Sequence, residues 1–224
     1  MATKRTLDES DERISKCMRS DYNATITVLV GLQEVRFTVH QDLLCCHSDF
    51  FKKACSGDWT EARERIVRLA DTNVAFFQIY VENLYRASTD PGIYEQMGYV
   101  LRPVHDPYSG FVNTDEVVSH MCRLWALGDF LQDACFQITV VDELNENPAK
   151  EPPSTSTIEW VANNTTMNSP LATWLLNTLV PHLESSKFAR ALLDELTGKL
   201  PADFLMSLLK ATVVRLSSES SHRK

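Results

Sequence analysis

Apolar and polar positions alternate along residues 24–39, ATITVLVGLQEVRFTV. Ile26, Val28 and Val30 fall on one face, and Val35, Phe37 and Val39 on one face of a second run. Gly31-Leu32-Gln33-Glu34 separates the runs, so the segment predicts a β-hairpin. The period then changes. In residues 40–56, Leu43, Leu44, Cys46, Phe50, Phe51 and Ala54 recur at helical spacing. Ser48 in the middle is a helix cap, which predicts two short helices with a break near His47, the second ending at Gly57-Asp58.

Residues 65–69, RIVRL, predict a third short strand. Asp71 or Thr72 can cap a helix over 73–86 with an inner stripe of Val74, Phe77, Val81, Leu84 and Tyr85. Residues 87–114 carry Pro91, Gly92, Gly98, Pro103, Pro107 and Gly110, and predict a long loop insertion. Two helices should follow, over 115–127 and 129–145, hinged at Gly128-Asp129. Val117, Met121, Leu124, Trp125 and Leu127 would serve the first, and Phe130, Leu131, Ala134, Ile138 and Val141 the second.

The Pro/Ser/Thr-rich stretch 147–157 predicts a linker. Beyond it, helices are expected near 158–164, 170–180, 186–197 and 201–216, with Pro170 and Pro201 at helix starts. Residues 1–19 predict a mobile arm, 20–146 the main domain, 158–216 a helical C-terminal region and 217–224 a tail.

This order resembles the BTB/POZ fold, and specific residues carry the likeness. Ser20-Asp21 precedes the first strand. His40-x-x-Leu43-Leu44 followed by Ser48-x-Phe50-Phe51 matches the family's H-x-x-L-L…S-x-F-F signature. Val67-x-Leu69 with Asp71 matches its next strand, and Phe77 with Leu84-Tyr85 its next helix. Leu127-Gly128-Asp129-Phe130-Leu131 is similar to a segment common in BTB proteins of filamentous fungi. The resemblance covers residues 20–145. It implies an α+β fold, a small three-stranded sheet flanked by a cluster of helices, followed here by a helical region that matches no further module.

It also implies partners. The family dimerises through its first helix and N-terminal arm, which places Leu43, Leu44 and Cys46 at the expected interface with itself or a related BTB chain. Trp59-Thr60-Glu61 resembles the apolar-x-Glu motif with which cullin-binding members grip their scaffold, so Phe51, Trp59 and Glu61 are the scaffold-binding candidates. The expected function is a protein–protein interaction adaptor that recruits a client protein to a cullin-type ubiquitin ligase. The alternative is an oligomerisation module of a transcription-associated or structural complex with no ligase link.

Composition narrows the chemistry. With 224 residues, 44% hydrophobic and 23% charged, the chain can bury a core. The formal net charge is −8, which disfavours nucleic acid. Arg63, Arg65 and Arg68 alternate with Glu61 and Glu64 and predict a solvated strand edge. No membrane span or signal-peptide core is legible, so the expected location is cytoplasm or nucleus, where the N-x-T sequons at Asn23, Asn163 and Asn164 carry no meaning.

The six cysteines, at 17, 45, 46, 55, 122 and 135, are expected to be buried hydrophobes or free thiols. Cys45-Cys46-His47 diverge by about 100° per residue on a helix, so no metal site is expected. His47-Ser48-Asp49 contains triad residue types, but sequence neighbours do not converge as a triad. There is no nucleophile elbow, phosphate loop or dinucleotide fingerprint, so neither enzyme activity nor a cofactor is expected. His40 is expected to be a hydrogen-bonded histidine at a strand-to-helix junction, and Ser48 a cap.

Overall fold

A computed structural model of the chain describes residues 24–56, 63–89, 114–147, 151–183 and 186–222. The described residues form two compact units. The first comprises residues up to 104 together with 123–140, and the second comprises 105–122 together with 141–224.

The first unit is built on a three-stranded sheet in the order β2-β1-β3. Strand β1 (Thr25–Val30) pairs antiparallel with β2 (Val35–His40), matching Ile26 with Val39, Val28 with Phe37 and Val30 with Val35. The expected alternation therefore sets the register. Gly31 takes φ 74 at the turn, the left-handed region that glycine enters without a Cβ clash. The Glu34 N–H donates to the Gly31 carbonyl across 3.0 Å. Strand β3 (Ile66–Leu69) pairs parallel with the other edge of β1, opposing Val67 to Val28.

Two short helices follow β2: α1 (Gln41–His47) and α2 (Asp49–Cys55). Ser48 alone separates them in extended conformation. Its Oγ accepts the Phe51 N–H at 3.1 Å, the expected cap. Helix α3 (Val74–Thr89) is capped by Asn73, whose Oδ1 accepts from Ala75 and Phe76 at 2.9 and 3.3 Å. The cap thus lies beyond the expected Asp71 or Thr72. Its inner row is Phe77, Tyr80, Leu84 and Ala87, while Val74, Val81 and Tyr85 are only half-buried. The helix also runs three residues into the expected loop insertion, whose residues 90–113 lie outside the described residues.

The largest correction concerns the hinge. Helix α4 (Thr114–Phe130) continues through Gly128-Asp129, and the break falls at 131–133. Helix α5 (Ala134–Glu146) starts there because the Asp133 carboxylate caps it, accepting the Phe136 N–H at 2.9 Å. Gly128 serves close packing instead of bending. A Cβ there would stand 3.0 Å from both the Phe136 ring and the Gln137 side chain. The late start shifts the phase of α5. Phe136 and Val140 face inward, and Phe130 and Ile138, expected inside, are 52% and 48% exposed. In α4, Val118 is buried where Val117 was expected.

An aromatic chain fills the core of this unit. Ring centroids are 5.1 Å apart for Phe37–Phe77, 6.3 Å for Phe51–Phe77, 6.0 Å for Phe77–Tyr80 and 5.0 Å for Tyr80–Phe136. Edge and tilted contacts of this kind add about 0.5–1.5 kcal/mol per pair beyond burial.

The second unit is helical. Helix α6 (Thr155–Asn164) begins three residues earlier than expected, because Ser154 caps it through the Thr157 N–H. Asp115 Oδ1 holds this start by accepting the Ser154 N–H at 2.7 Å. Helix α7 (Pro170–His182) has Ser169 as cap and Pro170 at its first position, where no donor is lost. It buries Leu171, Trp174, Leu175 and Leu179. Helices α8 (Ser186–Leu196) and α9 (Ala202–His222) complete the unit, and α9 continues six residues past its expected end into the expected tail. Phe204 and Leu208 anchor α9, while Leu205, Met206, Leu209, Val213 and Val214 stay exposed.

Candidate functional site

The sequence places two different kinds of element on either side of residues 57–62, and these two elements wall a groove. Helix α2 contributes Phe50, Lys53 and Ala54, strand β3 contributes Ile66, Val67 and Arg68, and Gln132 closes one end. The volume is about 480 Å³. Its floor is apolar. Phe50 meets Phe51 edge-on and Phe130 at a tilt, with centroids 5.3 Å apart in each case. Its rim is basic: Lys53 and Arg68 are the charged lining residues. Arg68 meets Glu34 at 3.4 Å with both side chains more than half exposed, so that pairing is weak and leaves the cation addressable.

The end wall is held by backbone. Gln132 adopts φ 55, rarely occupied by a residue with a side chain. The start of α2 secures it: the Asp49 N–H donates to the Gln132 carbonyl and the Phe50 N–H to that of Leu131, both at 3.4 Å. Lys53 Nζ also donates to Gln132 Oε1 at 3.0 Å.

Behind the groove lies a buried polar cluster of Ser48, Tyr80 and Asp133 beside His47. Ser48 Oγ donates to the Leu131 carbonyl while capping α2. Tyr80 Oη donates to Asp133 Oδ2 at 3.0 Å, and Asp133 Oδ1 caps α5. Burial pushes the Asp133 carboxyl above its ordinary range and the Tyr80 hydroxyl well above its own. Burial likewise pulls the His47 imidazole down, with Asp133 opposing that shift. Such residue types can move protons, but here the oxygens are committed to holding helix ends. Their work is structural: they lock α2, α3 and the start of α5 together.

His40 is hydrogen-bonded at the junction of β2 and α1, as expected. Its Nδ1 lies 2.8 Å from Tyr85 Oη, and its backbone N–H donates to the same hydroxyl at 3.3 Å.

The expected interface and scaffold residues separate. Leu43 and Leu44 are fully buried within the first unit, so they shape α1 from inside. Cys46 is half-buried and disulfide-bonded, a departure from the expectation that the cysteines are buried hydrophobes or free thiols; Cys45, Cys55, Cys122 and Cys135 carry thiols. Phe51 is fully buried and backs the groove, whereas Phe50, its neighbour, lines it. Trp59 and Glu61 lie outside the described residues. Arg68 was expected on a solvated strand edge, and Lys53 and Gln132 were not singled out in the sequence. The basic residues on alternate turns and strands carried a signal, but Gln132 did not, because its place depends on the 131–133 break.

Among the described residues, no group of three or more His, Cys, Asp or Glu could hold a metal ion, and no helix is long and apolar enough to cross a membrane.

The chain matches the BTB/POZ domain family over residues 15–106. No curated protein matches it. The match spans the hairpin, α1, α2, β3 and α3, the elements that build the sheet and both walls of the groove. Residues 15–106 are therefore identified as a BTB/POZ domain, a protein–protein interaction module.

Proposed function

We propose that this protein is an interaction adaptor that self-associates through its BTB/POZ domain and offers the α2–β3 groove to a cullin-type scaffold, to which it brings a client protein. The groove carries this reading. It has an apolar floor at Phe50, Ile66 and Val67 and a basic rim at Lys53 and Arg68. A partner surface with an apolar anchor flanked by carboxylates would satisfy both. Its two walls also bracket, in sequence, the Trp59-x-Glu61 pattern, so one partner could engage both.

Self-association would use α1 on the side of Cys46, since Leu43 and Leu44 are spent on the core. Light scattering on the purified protein should give a dimer mass at micromolar concentration, and a monomer would remove this half of the proposal.

The scaffold half is tested by pull-down of a cullin with the wild type and with the Trp59→Ala, Glu61→Ala double variant. Loss of roughly 2 kcal/mol or more of binding is expected for Trp59→Ala, as for aromatic hot spots. Lys53→Glu with Arg68→Glu should weaken binding further without changing the oligomeric mass. If the wild type binds no cullin, the protein is an oligomerisation module without a ligase link.

A further inference from the structure

We propose that Cys45 and Cys55 form a dithiol site that reacts with hydroperoxides and closes to an intramolecular disulfide. Ten positions separate these residues in sequence, but Ser48 folds α1 and α2 against each other. Cys45 Sγ then points at the Phe51 carbonyl, 3.6 Å away. In a helix that carbonyl is the acceptor for the N–H four residues on, which is that of Cys55. The Cys45 sulfur is thereby set beside the turn that carries Cys55. Both are free and only half-buried, so a small oxidant can reach them. Cys122 is buried.

The contact makes the two sulfurs unequal. The hydrogen bond from Cys45 pulls the Cys55 thiol below its ordinary range, against the upward push of burial. The same contact, with burial, pushes Cys45 up. Cys55 is thus the more acidic thiol, the one that attacks, and Cys45 the one that resolves.

Two steps balance the chemistry. The Cys55 thiolate attacks one oxygen of the hydroperoxide. An S–O bond forms, the O–O bond breaks, and the leaving alkoxide takes a proton to give the alcohol. The Cys45 sulfur, its proton passed to solvent, then attacks the Cys55 sulfenic acid. An S–S bond forms, the S–O bond breaks, and hydroxide leaves as water after taking up that proton. In total, two thiols and one hydroperoxide yield one disulfide, one alcohol and one water. The sulfurs lose two electrons and the peroxide gains them.

The site differs in kind from the groove and holds whether or not a cullin binds. The redox setting has a parallel one residue away, where Cys46 is already disulfide-bonded. Disulfide exchange with that neighbour is the competing outcome, and the test must separate the two.

The experiment treats the full chain, mildly reduced and desalted, with hydrogen peroxide and maps the products by mass spectrometry. Trypsin cuts after Lys52 and Lys53, so Cys45 and Cys55 fall in separate peptides, 37–52 and 54–63. The expected product joins these two peptides with the Cys46 disulfide retained, two hydrogens lighter than the same peptides before peroxide, with fragmentation placing the new link at Cys45. The Cys55 thiol should disappear about tenfold faster than that of Cys122. In Cys45→Ser the sulfenic acid on Cys55 should persist and be trapped by a 1,3-dione, and Cys55→Ser should give neither trap nor link. A link from Cys46, or a Cys55 that reacts no faster than Cys122, overturns the proposal. If either serine variant fails to fold, the wild-type map decides alone.

Discussion

Tyr80 Oη donates to Asp133 Oδ2 at 3.0 Å, joining the middle of α3 to the residue that starts α5. Both groups are buried, and the bond crosses 53 residues of chain. Tyr80→Phe keeps the ring contacts to Phe77 and Phe136 but leaves Asp133 one donor short. The expected cost is about 1–3 kcal/mol, the penalty for a buried acceptor left unpaired. Urea denaturation should show a lower midpoint with an unchanged slope.

Gly128→Ala sets two effects against each other. Helix propensity favours alanine by about 1 kcal/mol. A Cβ 3.0 Å from Phe136 and Gln137 overpacks the start of α5, at a cost of about 1–3 kcal/mol. Phe136 is 2% exposed and has little room to yield, so net destabilisation is expected. Adding Phe136→Leu should make Gly128→Ala less harmful than it is alone. A double-mutant cycle read by thermal melting checks this.

Leu44→Asp places a charge where the wild type exposes nothing. Burying that charge should cost several kcal/mol, a large share of a domain's total stability. Circular dichroism should show a collapsed or absent melting transition. A melt like that of the wild type would take Leu44 out of the core.

The pH dependence follows from His47. Its folded pKa lies below the ordinary 6.5, because burial disfavours the cation. The folded state therefore binds fewer protons than the unfolded state as pH drops through 6.5, and stability must fall with it. The loss levels off once pH passes below the folded pKa. Asp133 acts with the opposite sign: its raised pKa makes stability fall as pH rises from its unfolded value to its folded one. His47→Gln should flatten the decline in melting temperature just below neutrality, leaving the decline at more acid pH in place.

How legible this was in the sequence depends on what each feature needed. The hairpin, the Ser48 cap and β3 were readable because strand period and cap chemistry are local, and the register of β1 with β2 followed from one turn. The α4–α5 boundary was not. Gly128-Asp129 has the composition of a break, yet the helix runs through it, and the glycine lets the start of α5 pack close. The true cap, Asp133 three residues before Phe136, was visible as a pattern but had a stronger-looking competitor. One misplaced boundary then turned α5 and exposed Phe130 and Ile138. In α3, Tyr80 lay outside the expected inner stripe, and its partner Asp133 lies far along the chain. In the groove, Phe50 was recognised as apolar, but which of the Phe50-Phe51 pair faces outward depends on the angle between α1 and α2. The contact of Cys45 with Cys55 depends on that same angle.

The position of β1 between its two partners bears on how the chain folds as it is made. The β1–β2 hairpin is closed by a four-residue turn and can form within about 1–10 μs of its last residue becoming available. The opposite edge of β1 must wait for β3, and Thr27 meets Ile66 only after a parallel crossover. The locks on α2 and α3 wait longer still, for Leu131 and Asp133. At about 5–20 residues per second, synthesis takes several seconds to travel from His40 to Asp133. Until Leu69 has been made, a nascent chain holds a finished hairpin with the β1 edge uncovered, a natural docking line for another unfinished strand. The pace of translation over this stretch, as much as the strength of the final contacts, sets how often the domain assembles correctly.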